Sequence, residues 1–405
     1  MRTAEQNTSE KMAAGPAARK QRLGVYLHIP FCVRKCAYCD FLSAPASRET
    51  REQYVEALKE EIRRAGELGE RNRIETVFFG GGTPSLLEGR QTAEILETLS
   101  QVMPFAGDTE ITVECNPGTL TEEKLGAYRA AGVNRLSIGL QSADNRELLL
   151  LGRIHTFEEF LENYELARKK GFRNLNVDLM SALPGQTREG WLRTLEKVTD
   201  LEPEHISAYS LIIEEGTEFY DRYQDGDGLP DEEEEREIYH MTKRILEQYG
   251  YHRYEISNYC LKGYACRHNL GYWQGSQYLG FGLGASSCVG RPGGRRRRFS
   301  NISDMEAYVD ESGSPFALRM DNRILPLTEQ MEEFMFLGLR CVDGISKREF
   351  KEQFLHSYDE IYGNVTESLL SQGLLQDTGE RVLLTEFGLD VSNRVMAEFL
   401  IDEEH

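Results

Sequence analysis

The chain has 405 residues and a formal net charge of −20, long enough for a main domain and a smaller one, and acidic enough to disfavour broad binding to polyphosphate backbones, so nucleic acid is not an expected partner. An apolar fraction of 40% and a charged fraction of 28% are ordinary for a globular protein and exclude fibrous or wholly disordered classes. No run of about 18 uncharged apolar residues occurs and the N-terminus lacks a signal-peptide core, so a cytoplasmic protein is expected, with membrane contact peripheral at most.

Residues 1–21 mix Ala, Gly, charged and hydroxyl residues without periodicity and read as a disordered tail. Next, short β-branched and aromatic runs alternate with longer helical patterns. Strands are expected at Leu23–Ile29, Thr76–Phe79, Glu110–Glu114, Arg135–Leu140, Asn174–Met180 and His205–Leu211. Helices are expected at Arg51–Arg64, Thr92–Met103, Thr121–Ala131, Phe157–Lys170 and Glu189–Asp200, several opened by Ser, Thr or Asp caps. The alternation demands a parallel sheet with crossover helices, an α/β core over residues 22–255 whose repeats could close most of a barrel. The acidic run Asp231–Glu235 reads as a capping turn before a helix at Ile238–Tyr249. Residues 256–325 form a Gly- and aromatic-rich connecting segment, in which the basic run Arg295–Arg298 reads as a solvated loop. Over residues 326–397 two helical patterns and then Gly373–Leu375 with Arg381–Thr385 suggest a mainly α, winged-helix-like C-terminal domain, better suited to packing or partner contact than to DNA.

Eight cysteines comprise one tight trio, Cys32, Cys36 and Cys39, and five scattered members, unlike a secreted disulfide framework. The trio follows the first expected strand with the spacing C-x3-C-x2-C. An iron–sulfur cubane takes one thiolate per iron, so three local ligands would leave one iron open to a ligand. That iron could chelate the amino and carboxylate groups of S-adenosylmethionine (SAM), and an electron from the cluster would cleave the sulfonium bond. Two other readings of the spacing stay open. A structural zinc wants four ligands, and no second close pair follows; three buried free cysteines are the other.

In barrels the chemistry gathers at the C-terminal ends of strands. Gly80-Gly81-Gly82-Thr83-Pro84 follows the second strand and lets the backbone approach a ligand. Glu114, Gln141 and Asp178 end the third, fourth and fifth strands, and Arg153 lies beyond the fourth. Carboxylates there could receive a ribose or an ammonium, and Arg could meet a carboxylate.

With aromatic Tyr38 just before the last cysteine, the trio resembles the defining motif of the radical SAM superfamily. That resemblance implies a [4Fe–4S] cluster on Cys32, Cys36 and Cys39 and a partial (β/α)6 TIM-type barrel. It also likens the glycine run to the motif that binds the SAM amino group. By similarity to coproporphyrinogen dehydrogenase-like proteins, Tyr26, Tyr38, Gly81, Gly82, Thr83, Glu114, Gln141, Arg153, Asp178 and Ile212 are the implied SAM contacts.

The resemblance runs from about Leu23 to Val395 and covers both the anaerobic coproporphyrinogen oxidase group and its sister, the haem chaperones of the HemW type. The oxidase motif carries a further cysteine two residues after the third, where this chain has Phe41. His268-Asn269-Leu270-Gly271-Tyr272-Trp273 resembles the chaperones' HNxxYW motif. The chaperone branch implies haem as a ligand, with His268 as axial ligand, Tyr272 and Trp273 packing beside it and Cys266 as a rival ligand. Without the family match, a His that caps a turn beside core aromatics is the plainer reading. Apo-haemoprotein clients, an electron donor and a homodimer are the partners this branch suggests. The alternative is oxygen-independent oxidative decarboxylation of coproporphyrinogen III.

Overall fold

The computed structural model describes residues 21–66 and 71–401. The tail expected over residues 1–21 lies outside the described residues except for Gln21, which opens the first strand. Six strands, β1 (Gln21–Ile29), β2 (Asn72–Gly81), β3 (Phe105–Cys115), β4 (Arg135–Gln141), β5 (Leu175–Ser181) and β6 (His205–Ser210), pair in parallel in chain order. Right-handed crossover helices are the ordinary connection between parallel strands. The intervening helices include Arg48–Arg64, Gly89–Val102, Glu122–Ala130, Phe157–Lys169 and Arg188–Thr199. Their starts are fixed by side-chain caps: Ser47, Thr121, Thr156 and Thr187 each accept a backbone N–H of the first turn.

Alternate residues of each strand serve two environments. On β1, Leu23, Val25, Leu27 and Ile29 belong to the main apolar core. Tyr26 and His28 belong to the other face, where Tyr26 stacks on Phe78 of β2. The second and third strands begin earlier than the apolar pattern suggests, and their ladders shift register near those starts, at Leu23/Gly24 of β1 against β2 and at Ile74/Thr76 of β2 against β3.

Six parallel strands leave two unpaired edges, and the connecting segment covers both. At one edge β8 (Asn258–Cys260) pairs antiparallel with β6, and β7 (His252–Arg253) pairs antiparallel with β8. At the other, β9 (Tyr278–Phe281) pairs parallel to β1, followed by antiparallel β10 (Ser286–Val289), β11 (Arg297–Asn301) and β12 (Arg319–Ile324). The result is one twelve-stranded sheet in the order β12-β11-β10-β9-β1-β2-β3-β4-β5-β6-β8-β7.

The basic run Arg295–Arg298 is not the solvated loop expected of it. Its last two residues enter β11, buried Arg296 donates to Cys288 Sγ at 2.9 Å, and Arg298 pairs with Glu333 on the helix Leu327–Gly338. The run ties the sheet to the C-terminal domain. That domain has its own apolar core around Phe350, Tyr358 and Tyr362. Three helices, Leu327–Gly338, Lys347–Phe354 and Tyr358–Ser371, pack with a small sheet of β13 (Ile345–Ser346), β14 (Leu375–Asp377) and β15 (Arg381–Leu384) in the order β13-β15-β14, a winged-helix-like arrangement. No helix among the described residues is long and apolar enough to cross a membrane.

Candidate cluster and ligand site

The three-cysteine loop leaves β1 at Ile29 and is stitched to its neighbours by backbone. Gly82 N–H donates to Ile29 O at 2.9 Å, Thr83 N–H to Phe31 O at 2.6 Å, and Ala37 N–H to Leu151 O at 3.1 Å. The glycine run makes this approach possible: a Cβ on Gly82 would lie 2.5 Å from Phe31 O, and Gly81 has φ +111°. Cys32 is buried and Cys36 and Cys39 are half-buried, all three unbridged. Burial pushes the Cys32 and Cys39 thiols up from their ordinary value, so metal binding there releases protons. Among the described residues no three His, Cys, Asp or Glu side chains converge on one point as a mononuclear site requires. A cubane asks for something else, since each thiolate goes to a different iron.

A cavity of about 400 Å³ opens beside the cysteines at the C-terminal ends of the strands. Tyr38, Gly81, Gly82, Thr83 and the three cysteines form one wall; Glu114, Gln141, Arg153, Asp178 and Ile212 contribute to the rest. Tyr26 does not line it. Its hydroxyl lies 3.1 Å from His28 Nδ1, deeper in the barrel.

Glu114 accepts from Gly81 N–H, yet its carboxyl is pushed up to about 8, chiefly by desolvation and then by the charge of Asp178. Asp178 is raised as well, mainly by desolvation, against hydrogen bonds from Asn176 Nδ2 at 2.7 Å and Ser137 Oγ at 3.1 Å. The cation acting on both is Arg135. Two carboxylates facing a cavity and forming no ion pair among the described residues suit a cationic, hydroxyl-bearing ligand. Arg153 spans the opposite need: one Nη donates to Asn116 Oδ1 and Gly139 O, the other reaches Cys36 Sγ at 3.7 Å, and its buried Nε has no partner among the described residues. Gln141 holds φ +74°, unusual for a residue with a side chain, and accepts from Tyr209 OH at 2.8 Å. Burial raises the Tyr38 hydroxyl, with Arg153 opposing. Tyr209 and Asn116 were missed by sequence reasoning, although Tyr209 lies at the end of the sixth strand and Asn116 directly follows the third.

The donor set fits the implied group: three cysteines on one loop, a guanidinium on one of them, and carboxylates for a cationic ligand. Cys32, Cys36 and Cys39 would hold a [4Fe–4S] cluster, with Glu114, Asp178, Gln141 and the glycine run placed for SAM. When bound, the cluster supplies a single low-potential electron to the sulfonium.

The HNxxYW residues lie elsewhere. The helix Arg267–Trp273 plugs the barrel near the N-terminal ends of its strands, where Glu110 accepts from the N–H groups of Arg267 and His268 and from Cys266 Sγ. A carboxylate at a helix N-terminus is a favourable partner for those free donors. His268 is only 3% exposed. Its Nδ1 lies 2.8 Å from Thr76 Oγ1, its Nε2 lies 2.9 Å from Tyr272 OH, and the ring stacks on Phe78. Burial, then Arg135, lowers its pKa to about 3, so it is neutral. Trp273 packs under Arg340 of the C-terminal domain, 4.4 Å from the ring centroid. Both His268 nitrogens thus have partners within the fold, and Cys266 is fully buried against Glu110.

An open parallel barrel with a three-cysteine loop over a strand-end cavity defines a radical SAM protein. The Radical SAM superfamily model matches residues 26–198, and the HemN C-terminal domain model matches residues 325–391. Over 381 residues, 93% of this chain and 98% of its relative, the sequence is 38% identical to the heme chaperone HemW of Bacillus subtilis. It is 35% identical to that of Lactococcus lactis over 379 residues, 93% of this chain and 97% of the relative. The chain belongs to the HemW family. The solved coproporphyrinogen III oxidase (HemN) of Escherichia coli superposes with a TM-score of 0.82 at 22% identity, covering 95% of this chain and 92% of that one, a likeness of fold.

Proposed function

We propose that the protein is a haem chaperone: it binds haem and passes it to apo-haemoproteins, with the [4Fe–4S] cluster and SAM tuning binding or transfer. The observation that carries this reading is the 38% identity to a heme chaperone over nearly the full length of both chains, spanning the cysteine loop, the cavity and the HNxxYW helix. On this reading the protein works in the cytoplasm, an electron donor serves the cluster, a homodimer is the expected assembly and any membrane contact is peripheral. Axial ligation by His268 belongs to the proposal only through a state in which the ring has given up Thr76 or Tyr272. The oxidase reading draws on the shared fold with coproporphyrinogen III oxidase. Against it stands Phe41 in place of a further cysteine. Anaerobic reconstitution with iron and sulfide, followed by haem titration and a coproporphyrinogen turnover assay on the same sample, tests the choice. Stable haem binding without turnover supports the chaperone; turnover with weak haem binding would replace it with the oxidase.

A further inference from the structure

The barrel interior below the cavity is polar, and several of its side chains are joined end to end. Ser137, Asn176 and His205 stand in register on β4, β5 and β6, and Asp178 lies two residues beyond Asn176 on the same face of β5. Asn176 Nδ2 donates to Asp178 Oδ1 at 2.7 Å and to Ser137 Oγ at 2.6 Å, and Ser137 Oγ donates to Asp178 Oδ2 at 3.1 Å. Asn176 Oδ1 can only accept and lies 2.6 Å from His205 Nδ1, so that nitrogen carries the ring proton. Burial, then Arg135, keeps the ring neutral, which leaves Nε2 to accept from Tyr254 OH at 2.8 Å. The Tyr254 hydroxyl in turn accepts, at 3.3 Å, the backbone N–H of Cys266, the residue that caps the HNxxYW helix.

Every donor in this series points the same way: Cys266 N–H to Tyr254, Tyr254 to His205, His205 to Asn176 and Asn176 to Asp178. Asp178 lines the cavity, and Cys266 opens the helix at the other end of the barrel. Hydrogen bonds in such a chain polarise one another in a water-poor interior, and a carboxylate is the strongest acceptor that can end it. Burial alone does not place a polar group on the chain. Thr112, on the face of β3 that carries Glu110 and Glu114, is fully buried, and its hydroxyl has no partner among the described residues. We propose that this chain couples the cavity to the HNxxYW helix, with His205 and Tyr254 as positioning residues: a cationic ligand that holds Asp178 ionised tightens each bond down to Cys266 N–H and steadies the start of the helix. The inference rests on the SAM part of the functional reading and names the route by which SAM acts on the far end of the barrel. By linkage, the state of the helix changes the ligand's affinity by the same factor.

Hydrogen exchange of the helix Arg267–Trp273, read by mass spectrometry in the cluster-loaded full chain with and without SAM, tests the coupling, and calorimetry on the same samples reads SAM binding. The parent is compared with Tyr254→Phe and His205→Leu, which break the chain, and with Thr112→Val, which removes an equally buried hydroxyl that is not on it. SAM should slow exchange of the helix about fivefold or more in the parent and in Thr112→Val. It should bind about fivefold more weakly to the two broken chains, whose helix no longer responds to it. Tyr254→Phe keeps the ring's volume and decides the matter if His205→Leu does not fold. A helix that exchanges faster in Tyr254→Phe yet keeps its full response to SAM would show a structural role only and overturn the coupling. SAM binding to the parent without slowing of the helix also overturns it and leaves the chaperone reading intact. A cluster-loaded parent that binds no SAM removes the SAM part of that reading and the inference with it.

Discussion

Replacing His268 by Ala removes a ring that the barrel holds on three sides. Thr76 Oγ1 and Tyr272 OH lose the partners they meet at 2.8 and 2.9 Å, at about 1–3 kcal/mol for each stranded buried group. Loss of stacking on Phe78 adds about 0.5–1.5 kcal/mol. A total of about 3–5 kcal/mol is expected, since partial relaxation offsets some of it. A pH signature distinguishes this from generic damage. The ring's pKa falls from about 6.5 unfolded to about 3 folded, so the unfolded chain takes up the proton first and stability drops as pH falls through that window. From pH 7 to pH 5 the parent loses about 2 kcal/mol through this residue, and a His268→Gln variant does not. Denaturant unfolding of the parent and variants at both pH values reads the difference directly. A loss below about 1 kcal/mol on His268→Ala, or a parent–variant gap that does not narrow at pH 5, would refute the burial on which this rests.

Serine in place of Cys32, Cys36 or Cys39 should each abolish cluster assembly, read as iron and sulfide content after reconstitution; full loading of any one variant contradicts the assignment. Because burial and the charge of Asp178 push the Glu114 carboxyl up to about 8, a cationic ligand must displace its proton. SAM binding at pH 7 should therefore release a proton and tighten as pH rises towards 8, while Glu114→Gln binds more weakly and without that dependence; calorimetry in buffers of different ionisation enthalpy decides. Gly82→Ala should disturb the cysteine loop and lower cluster occupancy by a factor of several, because its Cβ would meet backbone at 2.5 Å, and unchanged iron content would show that the loop yields freely.

The barrel was legible because each βα unit repeats the same change of period, from apolar runs such as Leu136, Ile138 and Leu140 to capped amphipathic helices such as that after Thr156. Residues at the strand ends could be found for the same reason: Glu114, Gln141 and Asp178 fall where a barrel puts its chemistry. The connecting segment was opaque. Its strands are three to six residues long, with Gly280 inside β9 and Gly282 and Gly290 just after β9 and β10, and β9 pairs with a strand more than two hundred residues earlier, which no local pattern encodes. The basic run misled because charge was read as solvation, whereas Arg296 finds Cys288 and Arg298 finds Glu333 across the fold. The surroundings of His268 were not legible either, because Glu110, which accepts from its backbone N–H, is 158 positions away in sequence.

The central claim is haem delivery, and the direct measurement is transfer. The cluster-loaded chain, saturated with haem and freed of excess, is mixed anaerobically with an apo-haemoprotein, and the two are separated and their Soret spectra recorded. Haem should move to the client at a rate faster than its spontaneous release into a neutral haem scavenger. Transfer no faster than that release, or turnover of coproporphyrinogen by the same sample, would contradict the account.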